Sequence, residues 1–232
     1  MSIHDGHRQR LKNRYLAEGL DNFNEVNVLE LLLFYCIPRK DTNPIAHRLL
    51  ERFGSLVQVL EAPVEELTRV SEISENAATF LNLITDASRY YMVKRAEQCD
   101  MLTSVEACGA YMVPFFHGKR NETVFLLCLD AKCKVLCCKE ISEGSVNSAG
   151  ISVRKIVEVA LGSNATSVVL AHNHPSGLAV PSGEDVSTTY RVYDALRAVE
   201  VELVDHIVVA DNDFVSMAQS GMLHRDEDFV LV

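Results

Sequence analysis

A chain of 232 residues suits one large domain or two small ones, and 48% hydrophobic with 23% charged residues is the composition of an ordinary globular protein. Its apolar runs, such as VNVLELLLFYCI, are too short or too interrupted to span a bilayer, and the charged start MSIHDGHRQRLKNRY has no apolar core of a secretory signal; with seven cysteines in no framework spacing, free thiols in a reducing cytoplasm are expected. The net charge of −10 is uneven, 12 Lys+Arg against 13 Asp+Glu over residues 1–96 and 10 against 19 over residues 97–232, so the second part would repel a phosphate backbone.

The first part reads as helices joined by short turns. HRQRLKNRY is the one local basic cluster, and a solvated helix face accounts for it. NEVNVLELLLFYCI places Val26, Leu29, Leu33 and Ile37 on one helical stripe, and two prolines in IPRKDTNP break it. PIAHRLLERFG is a second helix with Gly54 as its C-cap, APVEELTRV starts a third with Pro63 near its first turn, and SENAATFLNLITDASRYYMVKRA is a long fourth. From about residue 103 the texture changes. ETVFLLCLD and KCKVLCCKEI read as a hairpin, SVRKIVEVALGSNA as an amphipathic helix, and TSVVLAHNH as a buried strand. SGEDVSTTYRVYDALRAVEV reads as a helix, and ELVDHIVVADNDFVSMAQSG as two strands around an Asp-Asn-Asp turn. The expectation is an α+β chain: a helical domain over residues 1–96, then a mixed domain over residues 101–226.

The chemistry concentrates in AHNHPSGLAVPSGED, residues 171–185. Side chains at i and i+2 of a strand share a face, so His172 and His174 can converge on one ion, and Pro175 holds His174 extended. Imidazole is a preferred zinc ligand, and Asp185, in the first turn of the next helix, can complete a three-residue set. A second reading needs no metal: Ser182-Gly-Glu-Asp185 is also a capping-box pattern, with Ser182 as N-cap and Asp185 at N3.

HNHPSGLAVPSGED fits the signature His-x-His-Pro-x(6)-Ser-x-x-Asp of the JAMM metalloproteases at every defined position. The flanking SVRKIVEVALGSNATSVVLAHNHPSG and LVDHIVVADNDFVSM resemble the RadC (UPF0758) branch of that family over about residues 101–224, and residues 7–90 resemble its helical N-terminal domain. The resemblance implies a helix-hairpin-helix-like domain followed by a JAMM/MPN-type, cytidine-deaminase-like three-layer metallohydrolase domain. It implies that His172, His174 and Asp185 bind Zn²⁺ with a water as fourth ligand, and that Ser182 stabilises the carbonyl oxygen as charge develops on it. A glutamate upstream of the motif, itself no ligand, would be the general base. Glu122, Glu140 and Glu143 are the candidates. Glu122 is preferred because it stands at the mouth of a core strand, whereas Glu140 and Glu143 read as exposed strand-end residues.

The activity so implied is hydrolysis of a peptide or isopeptide bond in an unknown protein or peptide substrate. The rivals are a DNA-repair-associated accessory protein with a structural zinc, and a zinc hydrolase of a small amide. Weaker signals carry less. Cys133, Cys137 and Cys138 lack a partner Cys-x-x-Cys and read as small core or surface thiols; His206 reads as a partly buried strand histidine, with a place behind the metal site as the weaker alternative; His4, His7, His47, His117 and His224 carry no signal. In RVSEISENAATFLNLI, relatives place the hairpin turn whose glycines let backbone N–H groups approach a DNA phosphate. Here Ser71, Glu72, Ser74 and Glu75 stand instead, which speaks against DNA as a partner.

Overall fold

The computed structural model describes residues 3–99, 101–144 and 152–223, with side chains from residue 6 onward. The expected bound at 226, His224 and the side chain of His4 lie outside these. The chain forms two compact units, residues 1–88 and 89–232, and the division falls within the long helix. Among the described residues no helix is long and apolar enough to cross a membrane.

The first unit contains α1 (Ile3–Glu18), α2 (Glu25–Cys36), α3 (Asn43–Phe53), α4 (Leu56–Glu61), α5 (Val64–Leu67) and the start of α6 (Glu75–Ala96). Local chemistry sets the ends. Asn24 accepts the Asn27 N–H, Ser55 accepts the Gln58 N–H, and Gly54 ends α3 with φ of 94°, a conformation that costs glycine least. The α2 stripe packs as its spacing predicts: Leu29 and Leu33 are fully buried with Ile45 and Leu49 of α3, Leu67 of α5 and Leu81 of α6. Helix α4 was not legible, because six residues are too few for a periodic stripe.

The basic cluster is less solvated than expected. Arg8 donates to Ile37 O (2.7 Å) and Phe34 O (3.4 Å), satisfying carbonyls at the C-terminal end of α2, and its guanidinium lies 4.6 Å from the centre of the Phe34 ring. His7 also has a partner, since its Nε2 lies 3.0 Å from Oε1 of the fully buried Glu30.

The second unit begins with the rest of α6 and continues through α7 (Val105–Met112) into a 3₁₀ turn (Val113–Phe116). Helix α7 is an addition to the sequence reading: it is short, and only the Ser104 cap on the Ala107 N–H marks it. The other elements follow the expected order: β1 (Thr123–Leu129), β2 (Val135–Glu143), α8 (Val153–Gly162), β3 (Ser167–Asn173), α9 (Gly183–Arg197), β4 (Glu202–Ala210) and β5 (Asp213–Ser216). They build one sheet in the order β2-β1-β3-β4-β5, in which β3 and β4 are parallel and the other neighbours antiparallel.

The sheet is packed on both sides, which makes three layers. Val124, Leu126, Val168 and Leu170 face Ile156 and Ala160 of α8 and Val192 and Leu196 of α9. The alternate residues Phe125, Leu127, Val169 and Ala171 face Tyr111 and Met112 of α7 and Phe116 beyond it. Burial on both faces is why β1 and β3 read as continuous apolar runs rather than alternating ones. Cys137 packs with the first layer and Cys138 with the second, as expected of neighbours on one strand.

Candidate metal centre

The motif sits where β3 leaves the sheet. His172 shares the face of Val168 and Leu170, so it turns toward α9, and His174 follows immediately after the strand. The two Nε2 atoms stand 2.9 Å apart. Helix α9 brings the third group: Asp185 Oδ1 lies 3.2 Å from His172 Nε2, and Oδ2 lies 3.5 Å from His174 Nε2. The ligand atoms of these three residues lie within 4.8 Å of one another, and among the described residues they form the group of three or more that could hold a metal ion. The cysteines of β2 contribute to no such group there.

The two readings of Asp185 turn out to be compatible. Ser182 N–H donates to Asp185 Oδ2 (2.7 Å) and Asp185 N–H donates to Ser182 Oγ (3.2 Å), a complete capping box, while Oδ1 still faces His172. The cap therefore aims the carboxylate. Burial alone would raise its pKa, but the His172 imidazole and the Ser182 bonds hold the Asp185 carboxyl well below the ordinary range, so it is an anion.

The residues fit a cation. His174 Nδ1 lies 3.0 Å from the carbonyl oxygen of Leu178. A carbonyl only accepts, so Nδ1 carries the proton and the lone pair that the ring can offer is on Nε2. That lone pair converges with an anionic carboxylate and a second imidazole nitrogen. Nitrogen and oxygen donors of this kind suit zinc, and three of them leave a coordination position open.

Residues 102–222 match the family described as a RadC-like JAB domain, more than half of the chain. A UPF0758 protein of Fusobacterium nucleatum is 32% identical over 225 residues, spanning 94% of this chain and 97% of its own length. The chain belongs to the RadC (UPF0758) family. UPF0758 proteins of Ruegeria pomeroyi and Ectopseudomonas mendocina are each 33% identical, over 94% and 96% of this chain respectively. The JAB domain of this RadC-family chain accounts for the mixed sheet, with the His-His-Asp group at the end of its central strand.

The three glutamates fall in different places. Val124 of β1 pairs with His172 of β3, so Glu122, two residues earlier, stands at the end of β1 where His174 leaves β3. Glu140 and Glu143 lie on β2, and β1 separates that strand from the histidines. Lys119 Nζ binds both, at 3.0 Å and 2.8 Å, and its bond holds the Glu143 carboxyl below its ordinary range.

Asn173 and Thr189 of the site neighbourhood have no place in the sequence reading, and His206 has one only as the weaker alternative. Asn173, between the histidines, points to the other face, where its Oδ1 accepts the Thr123 N–H (2.7 Å) and its Nδ2 donates to Asn121 O (3.3 Å). It thereby ties the segment carrying Glu122 to the metal motif. A polar residue locked between two apolar-strand histidines was its only signal. His206, expected to be partly buried, is 1% exposed, and its Nε2 lies 2.7 Å from His172 Nδ1. Thr189 of α9 is fully buried and bonded to the Nδ1 of His206, and it had no signal in the sequence. Burial, and then the neighbouring His172, push the His206 pKa far below that of a free imidazole, so this ring is neutral.

Proposed function

We propose that this RadC-family chain is a zinc-dependent hydrolase of peptide or isopeptide bonds. The observation that carries the reading is the convergence of His172, His174 and Asp185, with ligand atoms within 4.8 Å, at the end of β3. These residues would hold the metal. Bound zinc would supply Lewis acidity and lower the pKa of a water toward neutrality. Glu122, at the neighbouring strand end, would take the proton from the attacking water and pass it to the leaving amine. Ser182 uses an oxygen lone pair in the capping box, and its own O–H is the donor for the oxyanion.

Three protein ligands favour an enzyme over a structural zinc, which is closed by four. Leu178 and Val180, 67% and 65% exposed in the loop between His174 and Asp185, offer apolar surface to residues flanking a scissile bond, which suits a chain substrate better than a small amide. Metal analysis of the full chain, with assays on fluorogenic peptides and on lysine-linked isopeptides, tests the proposal. Stoichiometric zinc with chelator-sensitive cleavage is expected. Zinc-loaded protein inert toward all of them would favour the structural-zinc accessory role, and a chain that takes up no zinc would refute both.

A further inference from the structure

The position of His206 depends on an irregularity in β4. In the pairing with β3, Val168 meets Leu203 but Val169 meets Asp205, so Val204 is skipped as a bulge. Regular alternation would put Leu203, Asp205 and Ile207 on one face. Instead Leu203 packs on the α8 and α9 side and Ile207 on the opposite side. The changed phase turns His206 toward α9, beside His172.

The hydrogens of the resulting chain can be assigned by elimination. The Thr189 hydroxyl donates to the carbonyl oxygen of Asp185, 2.6 Å away and one helical turn back. A hydroxyl has one proton, and a carbonyl has none to give. Thr189 Oγ1 must therefore accept from His206 Nδ1–H. The ring of His206 is buried, with no carboxylate among its hydrogen-bond partners, and a neutral imidazole with a proton on Nδ1 has a lone pair on Nε2. His172 Nδ1, 2.7 Å from that lone pair, must carry a proton. With Nδ1 committed to His206, the only lone pair that His172 can offer is on Nε2, the atom that faces His174 and Asp185.

We propose that Thr189 and His206 are positioning residues, a relay from the Asp185 carbonyl that fixes His172 as its Nδ1-protonated tautomer and so presents Nε2 as a lone pair to the metal. Both its ends belong to the candidate ligand group: Asp185 would supply one ligand through its carboxylate and, through its backbone carbonyl, sets the tautomer of another, His172. The alternative form of His172, with Nε2–H pointing at Asp185, would block a cation, and the relay disfavours it. The metal part of the proposal rests on the zinc reading above. The tautomer part stands on hydrogen bonds alone.

Full-length Thr189→Val, Thr189→Ser and wild-type proteins test it. Valine keeps the shape of threonine and removes the hydroxyl, whereas serine restores the hydroxyl. Zinc affinity is measured by chelator competition, with His172→Ala protein subtracting any zinc held by free thiols. Ring nitrogen-15 shifts report the His172 tautomer in metal-free protein. In wild type and Thr189→Ser, His172 should be protonated on Nδ1. In Thr189→Val that population should fall, and zinc affinity should drop by about 10–100-fold, the usual effect of losing a hydrogen-bond partner behind a metal ligand. Serine should rescue both. If wild type shows the Nδ1–H tautomer and Thr189→Val loses it, but neither binds zinc, the relay stands and the zinc reading fails. If Thr189→Val keeps wild-type tautomer and zinc affinity, the relay is overturned.

Discussion

At Asp185 the helix cap and the candidate metal group meet. One carboxylate oxygen accepts the Ser182 N–H and the other faces His172. Asp185→Ala should therefore abolish zinc binding and, in metal-free protein, cost about 0.5–1.5 kcal/mol, the net worth of one hydrogen bond. Calorimetric zinc titration and denaturant unfolding measure the two effects separately; zinc binding at wild-type strength would mean that Asp185 is a cap and nothing more. Glu122 makes a different demand. Glu122→Gln keeps the side-chain shape and removes its basicity, so zinc content should be unchanged while turnover of any cleaved substrate falls by roughly 10²–10⁴-fold. Glu140→Gln and Glu143→Gln should stay active, because Lys119 holds both carboxylates one strand further from the histidines. A dead Glu143→Gln beside an active Glu122→Gln would move the base to β2.

At the scale of elements, the turn between α5 and α6 is anchored by a carboxylate. Glu72 adopts φ of 75°, a conformation that glycine fills at least cost, and its carboxylate binds Lys40 and Arg48 at 2.9 Å each. Two cations that would otherwise suit phosphate are thus neutralised, and the Lys40 and Arg48 bonds hold the Glu72 carboxyl below its ordinary range. The full chain should bind duplex DNA no tighter than the roughly 10⁻⁴–10⁻⁶ M of non-specific association at physiological salt. Glu72→Gly should strengthen binding at low salt, as titration in fluorescence anisotropy would show; nanomolar wild-type affinity would contradict the argument. Another close approach joins α7 to β5. A Cβ on Gly109 would stand 2.2 Å from the Phe214 ring, so the helix or the ring must shift. Gly109→Ala should destabilise by about 1–3 kcal/mol, as overpacked cores do, and Phe214→Leu in the same chain should recover part of the loss.

In the whole molecule, the three candidate ligands come from β3, the segment after it and α9, all within the unit of residues 89–232. Zinc at one hundred times its dissociation constant should stabilise that unit by about 2.7 kcal/mol. Hydrogen exchange with and without a chelator should show the added protection in β3, α9 and β4 and none in α2 and α3; protection spread equally over both units would be inconsistent with a site built this way. The same division explains what could be read in advance. Helix stripes, apolar strand runs, the Gly54 cap and the His-x-His pattern are local, because 3.6-residue and 2-residue periods already decide which side chains share a face. The candidate ligand group was legible for that reason: His172 and His174 are two residues apart, and Asp185 starts the next helix. Helix α4 and helix α7 were too short to show a period. The place of Glu122 beside the histidines came from the β1–β3 pairing, between residues some 50 positions apart. His206 needed the Val204 bulge, which reverses the alternation that any reading of LVDHIVV assumes. Thr189 needed both that bulge and the packing of α9 on the sheet. Spacing alone determined which side chains could bind a metal, whereas long-range pairing decided what surrounds them, since a one-residue change of phase in a strand moves every later side chain to the other face.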